Sequence, residues 1–103
     1  MGFEKYTPRT AAELLELRTW IATIGQDYVE TGSVPADLRD ISDRSLPASF
    51  DELTRGISHL CKPPLRAEAL QVVAEARDSY DRKEFERAEL ELLKFEDLIL
   101  DRM

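Results

Sequence analysis

The chain is short of every residue that staples, spans or cradles. It has one cysteine, Cys61. That excludes an internal disulfide and makes a reducing, cytoplasmic setting the simpler expectation. Its four glycines are scattered, so there is no glycine-rich loop to hold a phosphate. Uninterrupted apolar runs last only a few residues, too short for a membrane-crossing helix. The first residues show no basic, apolar and small-residue succession, so no secretory signal is expected. Basic charge is also scarce: 14 Lys and Arg against 21 Asp and Glu give a net charge of -7. The bases are dispersed and usually sit beside an acid. A nucleic-acid binder needs a basic patch to neutralise phosphates, so direct nucleic-acid contact is disfavoured. The balance fits solubility or a basic protein partner.

What is present is a repeated helical rhythm. With 43% hydrophobic and 34% charged residues over 103 positions, the chain reads as one globular domain, 1–103, able to fold without metal or disulfide. Residues 1–9 form an irregular lead in which Phe3 and Tyr6 are apolar enough to pack on the core and Pro8 delays the helix. Thr10-Ala-Ala-Glu13 has the form of a capping box. Leu14, Leu17, Ile21, Ile24 and Tyr28 follow at three-four spacing, giving a helix over about Thr10–Thr31 with Gly32 as its left-handed stop. Trp20 lies on the edge of that stripe. The rhythm lapses over 33–48, a loop or a short extra helix between Pro35 and Pro47, with Leu38, Ile41 and Leu46 as its expected anchors.

A second capping-box match, Ser49-Phe-Asp-Glu52, predicts a short helix to Cys61 along Phe50, Leu53, Ile57 and Leu60. Pro63-Pro64 then separates it from a long antiparallel hairpin over 64–103. One arm carries Leu65, Ala69, Val72, Ala76 and Tyr80. The other carries Phe85, Ala88, Leu92, Phe95 and Ile99, after a cap predicted at Asp81. No period-two run suggests a strand. The predicted fold is all-α: a compact bundle of four main helices ending in that hairpin.

Within the hairpin, Ala76, Tyr80, Phe85 and Ala88 resemble one tetratricopeptide-type repeat. In that family a small residue and an aromatic close the first helix, an aromatic opens the second, and an alanine packs between the two. The resemblance covers about a third of the chain. Glu84 stands where that family usually has glycine, Phe95 where it prefers a small residue, and no second copy follows. The resemblance implies a shared way of packing a helical hairpin and, as a full repeat, peptide binding in a groove.

Candidate chemistry is sparse. His59 and Cys61 lie two positions apart, the wrong helical spacing for a nucleophilic pair. Ser42, Ser45, Ser49 and Ser58 have a single histidine to share as a base. Glu13-x-x-Glu16 and Glu86-x-x-Glu89 look somewhat like the ExxE motifs of MazG-type all-α nucleotide pyrophosphohydrolases. That likeness implies Mg²⁺ held between facing helices. On the helical wheel, however, Glu16 and Glu86 turn away from their apolar stripes. No metal or cofactor is expected.

The most informative feature is a second apolar row on the last helix. Leu90, Leu93 and Leu100, with Asp97 between them, lie on a face distinct from Phe85, Leu92 and Ile99. Glu86, Glu91, Asp97 and Asp101 border it. An apolar centre with an acidic border suits a basic partner protein or a second copy of the chain. The expectation is a non-enzymatic interaction module of the inhibitor or adaptor kind, with Leu90, Leu93 and Leu100 as anchors and Glu86, Asp97 and Asp101 steering. The alternatives are the pyrophosphohydrolase and an acidic DNA mimic that blocks a nucleic-acid-binding protein.

Overall fold

The computed structural model describes residues 7–103. Phe3 and Tyr6, expected on the core, lie outside the described residues. Four α-helices follow in order: α1 (Ala11–Thr31), α2 (Leu46–Leu60), α3 (Pro63–Asp81) and α4 (Phe85–Arg102), with one 3-10 turn at Ala36–Leu38. There is no strand among the described residues. Each helix packs against the next, and α1 closes on α4.

Neighbours run antiparallel, as specific pairs show. Phe50 at the start of α2 meets Tyr80 at the end of α3, ring centroids 6.0 Å apart. Arg77 lies beside Asp51 at 2.9 Å. Arg102 at the end of α4 pairs with Glu68 near the start of α3. Gly25 of α1 faces Tyr80, whereas Arg18, two turns earlier, reaches Glu96, well along α4. The result is an up-down-up-down bundle with the predicted hairpin intact.

The caps explain the boundaries, and two differ from expectation. Thr10 Oγ1 accepts the Glu13 amide at 3.1 Å, as predicted. The Glu13 carboxylate accepts the Arg9 amide at 2.7 Å, one residue upstream of the reciprocal partner in a capping box. Gly32, at φ 81°, donates its amide to the Tyr28 carbonyl at 2.7 Å. Helix α2 begins three residues earlier than the Ser49 motif implied. Ser45 is its cap, accepting the Ala48 amide at 3.1 Å. Ser49 is inside the helix and buried, donating its hydroxyl to the Ser45 carbonyl at 2.6 Å. Proline tolerates a first helical turn because that turn's amides have no helical acceptor. Pro47 therefore sits inside α2 instead of stopping it.

The third predicted cap is also absent. Asp81 closes α3, and Glu84 precedes α4 without a side-chain capping bond. The reversal is made by backbone alone. The Glu84 amide donates to Ser79 carbonyl at 2.8 Å and the Lys83 amide to Tyr80 carbonyl at 3.0 Å. Lys83 takes φ 62°. This is a Schellman motif with lysine where glycine is the usual residue. Lys83→Gly removes the left-handed strain at an exposed site and is expected to raise stability by about 0.5–1 kcal/mol, read as a higher urea midpoint with unchanged slope.

Segment 32–45 is an ordered connection held largely through Arg44. Its carbonyl accepts Trp20 Nε1 at 3.2 Å, and its guanidinium lies 2.9 Å from the carboxylate of buried Glu52. Leu46 and half-buried Leu38 anchor it as expected, but Ile41 does not: it is 73% exposed. The turn that follows the 3-10 segment, with the Ile41 and Ser42 amides on Leu38 carbonyl, carries Ile41 outward. Buried Val34 is the anchor that periodicity missed.

Tyr80 is the hub of the core. Its ring meets Phe50 of α2 and, at 6.2 Å, Phe85 of α4. Its hydroxyl end also lies against the backbone of α1 at Gly25, where a methyl group would sit 2.5 Å from Tyr80 Cζ. The hydroxyl is buried and makes no hydrogen bond with the described residues. Burial first, then the Glu89 carboxylate, push its pKa up to about 12, against the opposing effect of Arg18. Below pH 10 the phenol is neutral in both states and stability is unaffected. Between pH 10 and 12 the unfolded phenol ionises before the folded one, so stability falls as pH rises. Tyr80→Phe is expected to blunt that fall and to cost little at pH 7, since it removes an unpaired polar atom. Gly25→Ala is expected to cost about 1–3 kcal/mol through overpacking. Denaturation at pH 7 and pH 11 measures both.

Candidate functional site

Helix α4 is amphipathic in two senses. Ala88, Leu92, Phe95 and Ile99 are buried and close the core. At about 100° per residue, the opposite face carries Glu86, Leu90, Leu93, Asp97, Leu100 and Asp101. All six are exposed. Leu90 is 66%, Leu93 48% and Leu100 66% exposed. These leucines thus do no packing for the bundle that would account for them. Leu98, expected on the flank of the core stripe, is half-buried there.

The border differs from the sequence expectation at one residue. Glu91 is turned away from the leucine row toward α3. It accepts the Ser79 hydroxyl at 2.7 Å and lies 3.6 Å from Arg87. Its burial is that of a tertiary bond between the hairpin arms, not of a rim acid. The residue missed is Lys94. It lines one shallow groove with Asp97, Leu98, Leu100 and Asp101. Arg87 lines a second near the start of the helix, with Lys83, Glu84, Phe85 and Glu86. The face is therefore mixed: acids predominate, but two bases lie along one edge. The signal was present in the sequence, since Arg87, Lys94 and Asp101 recur at seven-residue steps.

The other candidates do not assemble. Glu13 and Glu16 open α1, whereas Glu86 and Glu89 open α4. Because α1 and α4 are antiparallel, these pairs lie at opposite ends of the bundle, so the two ExxE pairs cannot share one Mg²⁺. Among the described residues no group of three or more His, Cys, Asp or Glu is placed to hold a metal. His59 is exposed, while Cys61 is buried with its Sγ 3.9 Å from Met103 Sδ. Burial pushes the Cys61 thiol up, with Arg66 opposing, the reverse of what activates a nucleophile.

Because the row lies outside the core, Leu90→Glu/Leu93→Glu is expected to keep the helical circular dichroism and to shift stability by no more than about 0.5 kcal/mol per site. Leu92→Ala, one step round the same helix, is expected to cost about 2–5 kcal/mol. Thermal and urea melts of the two variants decide whether the outer row is structural.

Comparison with protein-family models, curated proteins and solved structures finds no match to this chain.

Proposed function

We propose that this chain is a non-enzymatic protein–protein interaction module of the inhibitor or adaptor kind, docking through the outer face of α4. The observation that carries the reading is the exposure of Leu90, Leu93 and Leu100 in one row on a helix whose other face already closes the core. An exposed, aligned leucine row on a small acidic bundle is a contact surface awaiting apolar cover. Glu86, Asp97 and Asp101 border it, so the complementary surface is an apolar ridge set among basic side chains. The mechanism is occlusion: the leucines supply contact area, and the acids speed and orient approach. No described helix is long and apolar enough to cross a membrane. With Cys61 unpaired, the proposed setting is the cytoplasm.

The test is affinity capture from the native host with wild type and Leu90→Glu/Leu93→Glu side by side, partners identified by mass. The captured protein is expected to carry basic side chains around its contact ridge and to bind the variant at least about tenfold more weakly, equivalent to 1.4 kcal/mol. Asp97→Lys/Asp101→Lys is expected to slow association chiefly, with an effect that shrinks in high salt. Equal capture by wild type and the leucine variant overturns the reading.

A further inference from the structure

Resting on that reading of the α4 face, we infer that the apolar ridge covering it is a second copy of the same helix, whose Lys94 and Arg87 supply the basic side chains, paired antiparallel across a two-fold axis. The exposed row has heptad spacing. Leu90 and Asp97 occupy one seam position, and Glu86, Leu93 and Leu100 the other. The 18 residues of α4 span about 27 Å at 1.5 Å per residue.

Charge decides the orientation. A parallel pair places Asp97 against Asp97 and Glu86 against Glu86, like charges on two of the five seam levels. An antiparallel pair with Leu90 level with Leu100 of the second copy does the opposite. Leu93 and Leu100 of both copies then run as one continuous apolar line along one side of the seam. On the other side, Asp97 comes level with Lys94 of the second copy, and Arg87 with Asp101 of the second copy. The two-fold axis repeats both pairs, so four opposite-charge contacts flank the leucines, against one like-charge approach, that of Lys94 to Lys94 of the second copy across the axis. Shifting the register by one heptad toward the start of the helix sets Glu86 against Asp97 of the second copy. A parallel pair gives Lys94 only Glu89 of the second copy and sets Glu96 near Asp101 of the second copy, so the antiparallel pair has the more favourable charge balance.

Both bases are free to turn outward. Lys94 is exposed. Arg87 is 67% exposed, and its contacts to Glu84 and Glu91 are long, at 4.0 and 3.6 Å. One helix face is a small interface, and each copy carries net charge -7, which opposes approach. The dimer therefore belongs to the weak, concentration-dependent class.

Sedimentation velocity from about 1 to 300 µM tests this. The expected result is a mass rising from 11.8 kDa toward twice that value. Leu90→Glu/Leu93→Glu is expected to stay monomeric with unchanged circular dichroism. Lys94→Asp is expected to weaken self-association at least about tenfold, and Lys94→Asp/Asp97→Lys to restore it. A spin label at Glu86→Cys, with buried Cys61 left in place, is expected to report backbones about 27 Å apart along the pair, against about 10 Å for a parallel one. A monomer at every concentration, a short label distance, or a charge swap that fails to restore the dimer overturns the inference. A monomer whose leucine variant still loses a captured host protein overturns the self-pairing alone. A monomer whose capture is indifferent to Leu90 and Leu93 overturns the docking face as well.

Discussion

The bundle depends on one contact, the Tyr80 ring against the bare backbone of Gly25. A side chain at position 25 would collide with the ring, so α1 can lie this close only because the residue there has none. Glycine inside a helix carries an intrinsic cost of roughly 0.5–1 kcal/mol. What offsets it is an aromatic that touches the other three helices from the end of α3: Gly25 of α1, Phe50 of α2 and Phe85 of α4. A second close approach, Gly56 of α2 against Leu14 and Pro8, draws α1 and α2 together in the same way. The two glycines set the spacing on both sides of α1, and the leucines and isoleucines fill what lies between.

That arrangement decides what α4 can offer. With Ala88, Leu92, Phe95 and Ile99 sealed inside, the helix is held along one face and open along the other. The hairpin turn needs no side chain to hold it, since backbone bonds through Lys83 and Glu84 close it. Glu91 and Ser79 then tie the two arms together. The outer row is consequently carried on a rigid element, a favourable condition for a docking face because little is lost in ordering it on contact.

Much of this was legible in the linear pattern, and where it was not, the reason is specific. Three-four spacing marked the buried face of every helix, because burial of one stripe is what that spacing means. It also located the outward leucines, which share a second stripe. It misplaced the start of α2, because Ser45 and Ser49 both offer a capping hydroxyl and only the path of the preceding loop selects between them. It mistook Ile41 for an anchor, because outside a helix the facing of a residue has no period. It put Glu91 on the rim, because the wheel cannot know that Ser79 stands across the hairpin to receive it.

Local sequence therefore determined helix count, helix identity and the two faces of α4, since these follow from spacing and from short-range capping chemistry. Tertiary structure decided which helices touch, and hence that the ExxE pairs lie at opposite ends of the bundle. It decided that Gly25 is a seat for Tyr80 and not a weak point in α1. It decided too that the α4 leucines are left uncovered. The physical reason is the same in each case. A helix presents its side chains by local geometry, but which of them lose their water depends on what arrives from elsewhere in the chain.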